Sequence, residues 1–132
     1  MKFAKYFILS ILSVLIVSCG KDDEPELEKS AEDLIYTSWK GVNRGWNYKG
    51  DEVTDNVILQ FLSKSKGQYI ILDDAGIPIP QSGEIWYTFD GPVIGFDGSL
   101  TGKWTIVKRT KNHLKLASFD PYESEMELER IF

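Results

Sequence analysis

One thiol, one imidazole and twenty carboxylates set the chemistry open to this 132-residue chain. Cys19, the only cysteine, has no partner for a disulfide, so its uses are as a nucleophile, a metal ligand or an acylation site. His113 is the only histidine, and a triad or a zinc centre built on one imidazole has no second nitrogen ligand or spare proton relay. Beside Asn112 at the start of an alternating segment, it reads as an exposed turn residue. Paired carboxylates could serve hydrolysis, yet Asp51-Glu52 and Asp73-Asp74 stand in turn contexts, and Glu125, Glu127 and Glu129 share the wet side of one segment. Asp73-Asp74-Ala75-Gly76 lacks the alternating oxygen ligands and closing glutamate of a calcium loop. The expectation is no enzyme, no metal and no cofactor.

The surroundings of Cys19 are more informative. Lys2 and Lys5 give a basic start, and Tyr6 to Val17 is a nearly unbroken apolar run. About a dozen residues fall short of the roughly 20 that span a bilayer, but suit the apolar part of a secretory leader. Ile16-Val17-Ser18-Cys19 then resembles the lipobox of bacterial lipoproteins. A small residue fits the peptidase pocket before the cut, and a thiol forms the thioether to diacylglycerol. The resemblance implies a signal peptide at 1–18, lipidation of Cys19 and a membrane partner reached through that anchor. Lys21-Asp22-Asp23-Glu24 also resembles the surface-export signal of lipoproteins in some Gram-negative phyla, which implies an outer-membrane protein facing outward, the alternative being the periplasmic side.

Removing the leader leaves 114 residues and shifts the formal charge from −5 to −7. That field repels phosphate backbones and argues against nucleic acid as a partner. Residues 19–33 are an acidic tether with few apolar groups, and 34–132 are long enough for one core. Without a disulfide, apolar burial must hold that core together.

Ser30-Ala31-Glu32-Asp33 before Leu34-Ile35 reads as a capped start of a short helix ending near Ser38. Beyond it the pattern has period two. Eight strands are predicted: Trp39 to Tyr48, Asn56 to Leu62, Gln68 to Asp73, Gly83 to Phe89, Val93 to Phe96, Leu100 to Arg109, His113 to Phe119 and Glu125 to Ile131. Trp104 and Ile106 oppose Lys103, Thr105 and Arg109, and Met126 and Leu128 oppose the three glutamates, so each strand has a core side and a wet side. Short turns such as Asp97-Gly98-Ser99 make sequence neighbours spatial neighbours. Asp74 to Ser82, with Pro78 and Pro80, is predicted as a mobile or capping loop at a barrel mouth. The expected fold is all-β, an eight-stranded antiparallel up-and-down barrel, with a β-sandwich as the alternative.

Ser38-Trp39-Lys40-Gly41 and Leu128-Glu129-Arg130-Ile131 give this pattern a resemblance to the lipocalins. In that family a first-strand tryptophan closes one barrel end and a last-strand arginine packs across it. The resemblance implies that Trp39 and Arg130 close this barrel. Thr37 stands where the family has a glycine.

The aromatic residues are the remaining candidates for recognition. Trp46, Tyr48, Tyr69, Trp86 and Tyr87 are candidate ligand contacts, with Trp39 and Trp104 assigned to the core. If Ile85, Tyr87 and Phe89 point inward, Trp86 points out and offers a sugar-stacking or protein-contact surface. The functional expectation is a non-enzymatic binding module for a small hydrophobic or glycan ligand. An envelope interaction or scaffold protein, or a hydrolase inhibitor acting through the Asp74 to Ser82 loop, is the alternative.

Overall fold

An extended segment of alternating apolar and polar residues puts one row of side chains on each side, and eight such segments joined by tight turns bury their apolar rows together by curling into a closed sheet. A computed structural model describes residues 34–119 and 123–132. Its strands are β1 (Thr37–Trp46), β2 (Glu52–Phe61), β3 (Lys66–Leu72), β4 (Gly83–Asp90), β5 (Val93–Gly98), β6 (Gly102–Arg109), β7 (His113–Ser118) and β8 (Ser124–Arg130). Each pairs antiparallel with the next, and β8 returns to β1, so the barrel is up-and-down and closed. The sandwich is excluded by that last pairing.

Closure forces the strands to coil tightly, and two inward positions permit it only as glycine. A Cβ on Gly41 would lie 1.9 Å from the Glu127 carbonyl oxygen of β8, and one on Gly67 would lie 2.0 Å from the Gln60 carbonyl oxygen of β2. Both obstacles are backbone, so no rotamer change relieves them.

The interior is filled. Val57, Leu59 and Phe61 of β2, Leu114 and Leu116 of β7, and Met126 and Leu128 of β8 are buried. At one end, the base, Phe61, Tyr87, Phe89 and Phe96 form a ring cluster with Phe61–Tyr87 and Tyr87–Phe89 centroids both 5.2 Å apart. The Tyr87 hydroxyl reaches the carbonyls of Ser63 and Lys66 and ties the cluster to the β2–β3 turn. Trp39 lies at this end too, with its indole N–H donating to Thr37 Oγ1 at 2.8 Å, while the Thr37 hydroxyl donates to the Leu34 carbonyl. Thr37 is thus a hydrogen-bond relay between Trp39 and the Leu34 carbonyl.

Four expectations are revised. Leu34 belongs to a single tight turn, Tyr36 has φ +69°, and β1 begins at Thr37, so no helix reaches Ser38; the Ser30 to Asp33 part lies outside the described residues, as do the leader, Cys19 and the tether. Arg130 stands opposite Trp39 in the β1–β8 ladder, but its guanidinium is exposed and Nε donates to the Phe132 carbonyl at 3.1 Å, so it does not cover the indole. Arg109, expected on the wet side, is instead buried at the base. A bulge between Ile106 and Lys108 inserts one residue and turns Arg109 inward opposite Leu114. Of the mobile and capping alternatives for Asp74 to Ser82, the mobile one gives way: the Ile79 amide donates to Ile71 O at 2.9 Å, and the Ser82 hydroxyl bridges the amide and carbonyl of Ile71.

Candidate functional site

Parity along the strands decides which side chains look into the barrel. Counting from buried Trp39 and Val57, Asn43 of β1 and Asp55 of β2 face inward and stand opposite each other in the ladder. Both lie near the end remote from Trp39, where the apolar layers give way to polar ones. Tyr69 of β3 reaches the same level, and its phenol oxygen accepts from Asn43 Nδ2 at 2.8 Å. Ser118, Ser124, Thr101 and Trp104 complete the wall opposite.

These groups surround a hollow of about 260 Å³ at the mouth, and a second of about 170 Å³ adjoins it along Asn43, Trp46 and Asp55. Trp46, at an outward position next to inward Gly45, borders both at the rim and is 41% exposed. The result is a shallow basin with a carboxylate, a carboxamide and a phenol on its floor and Trp46 at its rim.

The electrostatics of the floor are unusual. Burial pushes the Asp55 carboxyl above its ordinary value. Among the described residues, no hydrogen bond or ion pair compensates that carboxylate. Burial likewise pushes the Tyr69 phenol up to about 12, the Asn43 hydrogen bond opposing and the Asp55 charge adding to the rise. Tyr69 therefore keeps its proton at neutral pH, and among the described residues neither that proton nor the Asp55 carboxylate is engaged in a hydrogen bond.

The candidate aromatics separate into three places. Trp46 and Tyr69 come together at the basin. Tyr48 is on the same rim in the β1–β2 turn, 74% exposed and with the Lys49 ammonium 5.7 Å from its ring, but it does not line the hollow. Trp86 points out from β4, 43% exposed, because Ile85 and Tyr87 face the core. Tyr87 is a base-closing residue at the far end.

Asn43, Asp55, Ser118 and Ser124 were missed from sequence. The signal for Asp55 was Val53-Thr54, two strand-forming residues that extend β2 back to Glu52 and so give Asp55 an inward parity.

A larger hollow, about 420 Å³, lies along the outer wall of β1, β7 and β8. Its charges answer one another: Lys115 Nζ is 3.3 Å from Glu125 and 3.8 Å from Glu127, and His113 Nε2 is 3.5 Å from Glu129. Such a trough of exposed ion pairs is a solvated face and leaves little for a ligand to satisfy.

No family model, curated protein or solved structure matches the chain. The basin must be read from its own geometry.

Proposed function

We propose that the chain is a non-enzymatic, lipid-anchored binding module of the cell envelope, held through Cys19 at the outer membrane, whose basin receives one hydroxyl-rich unit such as a terminal sugar. The observation that carries the reading is Asp55: a partly buried carboxylate whose burial raises its pKa, with no compensating partner among the described residues, beside the protonated Tyr69 phenol and below Trp46 at the rim. A group of that kind is more useful to a ligand than to the fold. Sugar hydroxyls donate to carboxylates and accept from phenols, and the apolar face of a pyranose stacks on indole.

Among the described residues, buried apolar side chains pack the interior beneath the polar floor, which favours a polar ligand over a hydrophobic one. The lipobox and the acidic segment behind Cys19 support the anchor and the outward-facing location. The basin lies at the end opposite Leu34, where the chain from Cys19 enters the barrel.

The test is a sugar titration of the full-length protein in nonionic detergent, followed by tryptophan fluorescence across a panel of monosaccharides. Saturable binding that Asp55→Asn and Trp46→Ala each weaken at least tenfold supports the basin; binding untouched by both removes it. A second reading, protein contact through the outer wall, is favoured by exposed Trp86 alone. Capture of an envelope protein that Trp86→Ala abolishes and Asp55→Asn leaves intact would select it.

A further inference from the structure

The two ends of the barrel differ in charge. Connections at the mouth carry Asp51, Asp73, Asp74 and Glu123 against Lys49, whereas those at the base carry Lys64 and Lys111, with Lys66 and Arg130 at adjoining strand ends and Asp90 at the end of β4 the acid beside the β4–β5 turn. The base also exposes large apolar side chains: Tyr36 is 70% exposed, Leu62 48% and Phe132 77%.

Backbone hydrogen bonds lay these residues side by side along the rim. The Leu62 amide donates to Lys66 O at 3.0 Å, the Tyr36 amide to Phe61 O at 2.7 Å, the Ser38 amide to Phe132 O at 3.1 Å, and the Arg130 amide to Asn112 O at 2.8 Å. Read around the base, the order is Lys64 and Lys66, Leu62, Tyr36, Phe132, Arg130 and Lys111. Apolar groups sit in the middle and cations at both flanks.

We propose that this strip is a docking surface for an anionic lipid headgroup layer, with Tyr36, Leu62 and Phe132 entering the interface and Lys64, Lys66, Lys111 and Arg130 paired to headgroup phosphates. The contact rests on the anchor reading above, which supplies the membrane. A protein of net charge −7 after loss of its leader is repelled by such a layer as a whole, and only this end can approach it. Aromatic and aliphatic groups flanked by cations are the composition that holds a peripheral surface in a headgroup region, each cation acting within a Debye length. The tether does not fix that contact by itself, since the 14 residues between Cys19 and Leu34 permit a reach of up to about 50 Å. The strip holds the base down and the basin outward.

The test uses the full-length acylated protein taken from the membranes of the cells that make it and reconstituted into phosphatidylcholine vesicles with or without about 30 mol% phosphatidylglycerol, both carrying brominated acyl chains. Phe132→Trp and Leu62→Trp report on the base and Tyr48→Trp on the mouth. The expected result is severalfold stronger quenching of both base reporters than of the mouth reporter in anionic vesicles. In the Lys64→Glu/Lys66→Glu/Lys111→Glu background that difference disappears. Equal quenching at both ends, or none at the base while the protein floats with the vesicles, overturns the docking surface and leaves the anchor standing. Failure to float with either vesicle, with Cys19 unmodified by intact mass, overturns the anchor reading and this contact with it.

Discussion

Replacing Gly41 with alanine puts a methyl group where the barrel is sealed. The added Cβ would stand 1.9 Å from the Glu127 carbonyl oxygen and 2.9 Å from the Leu128 Cα, and neither atom belongs to a side chain that can swing away. Relief requires β1 and β8 to part by more than an ångström at the Gly41–Leu128 pair, loosening the ladder bonds on each side. Overpacking alone costs about 1–3 kcal/mol, and two weakened backbone bonds add roughly 1 kcal/mol each, giving about 4 kcal/mol in all. For a domain of this size that lowers the melting midpoint by about 15–30 °C. Gly50 is the control: it has φ +83° with nothing within 4 Å of an added Cβ, so Gly50→Ala carries backbone strain alone, about 1–2 kcal/mol. Thermal unfolding followed by near-ultraviolet circular dichroism compares the two. If Gly41→Ala melts no lower than Gly50→Ala, the β1–β8 seam does not close as described.

Asp55→Asn is expected to stabilise the protein at pH 7 while weakening sugar binding, because the folded state holds the Asp55 proton more tightly than the unfolded chain does. The parent gains relative stability as pH falls through the raised folded pKa, and urea unfolding across pH 4–7 should show that slope flattened in the variant. Tyr69 acts at the alkaline end: with its phenol held up to about 12, the folded state keeps a proton that the unfolded chain releases near 10, so stability present below pH 10 is lost as pH rises towards 12. The difference amounts to roughly 3 kcal/mol, and Tyr69→Phe should remove that alkaline limb in unfolding measurements from pH 9 to 12. Arg109→Ala should destabilise by about 3 kcal/mol or more through lost buried packing, and Arg130→Ala by about 0.5 kcal/mol or less; equal effects in urea unfolding would contradict the inward turn produced by the bulge.

The barrel was legible because its strands alternate so strictly. Ile85 and Tyr87 against Trp86, and Met126 and Leu128 against Glu125, Glu127 and Glu129, leave one way to face, and tight turns leave one neighbour for each strand. Two of the basin's residues, Trp46 and Tyr69, stood out as aromatics. Its polar floor did not, because a barrel's inward face turns polar near a mouth, and Asp55 then looks like the turn residues Asp51 and Glu52 that precede it. The β6 bulge leaves no mark in Ile106-Val107-Lys108-Arg109, a stretch whose alternation without a slip puts Arg109 on the wet side. The basal strip depends on hydrogen bonds from the Tyr36 amide to the Phe61 carbonyl and from the Ser38 amide to the Phe132 carbonyl, which join residues far apart in sequence. Only the folded chain brings them together.

Native mass spectrometry of the full-length protein, purified in mild detergent from the membranes that carry it, tests the central claim most directly. A mass bearing acyl chains on Cys19, with an added polar small molecule retained by the parent and lost from Asp55→Asn, is the predicted result. An unacylated chain, or a retained molecule that Asp55→Asn holds as firmly as the parent, would contradict it.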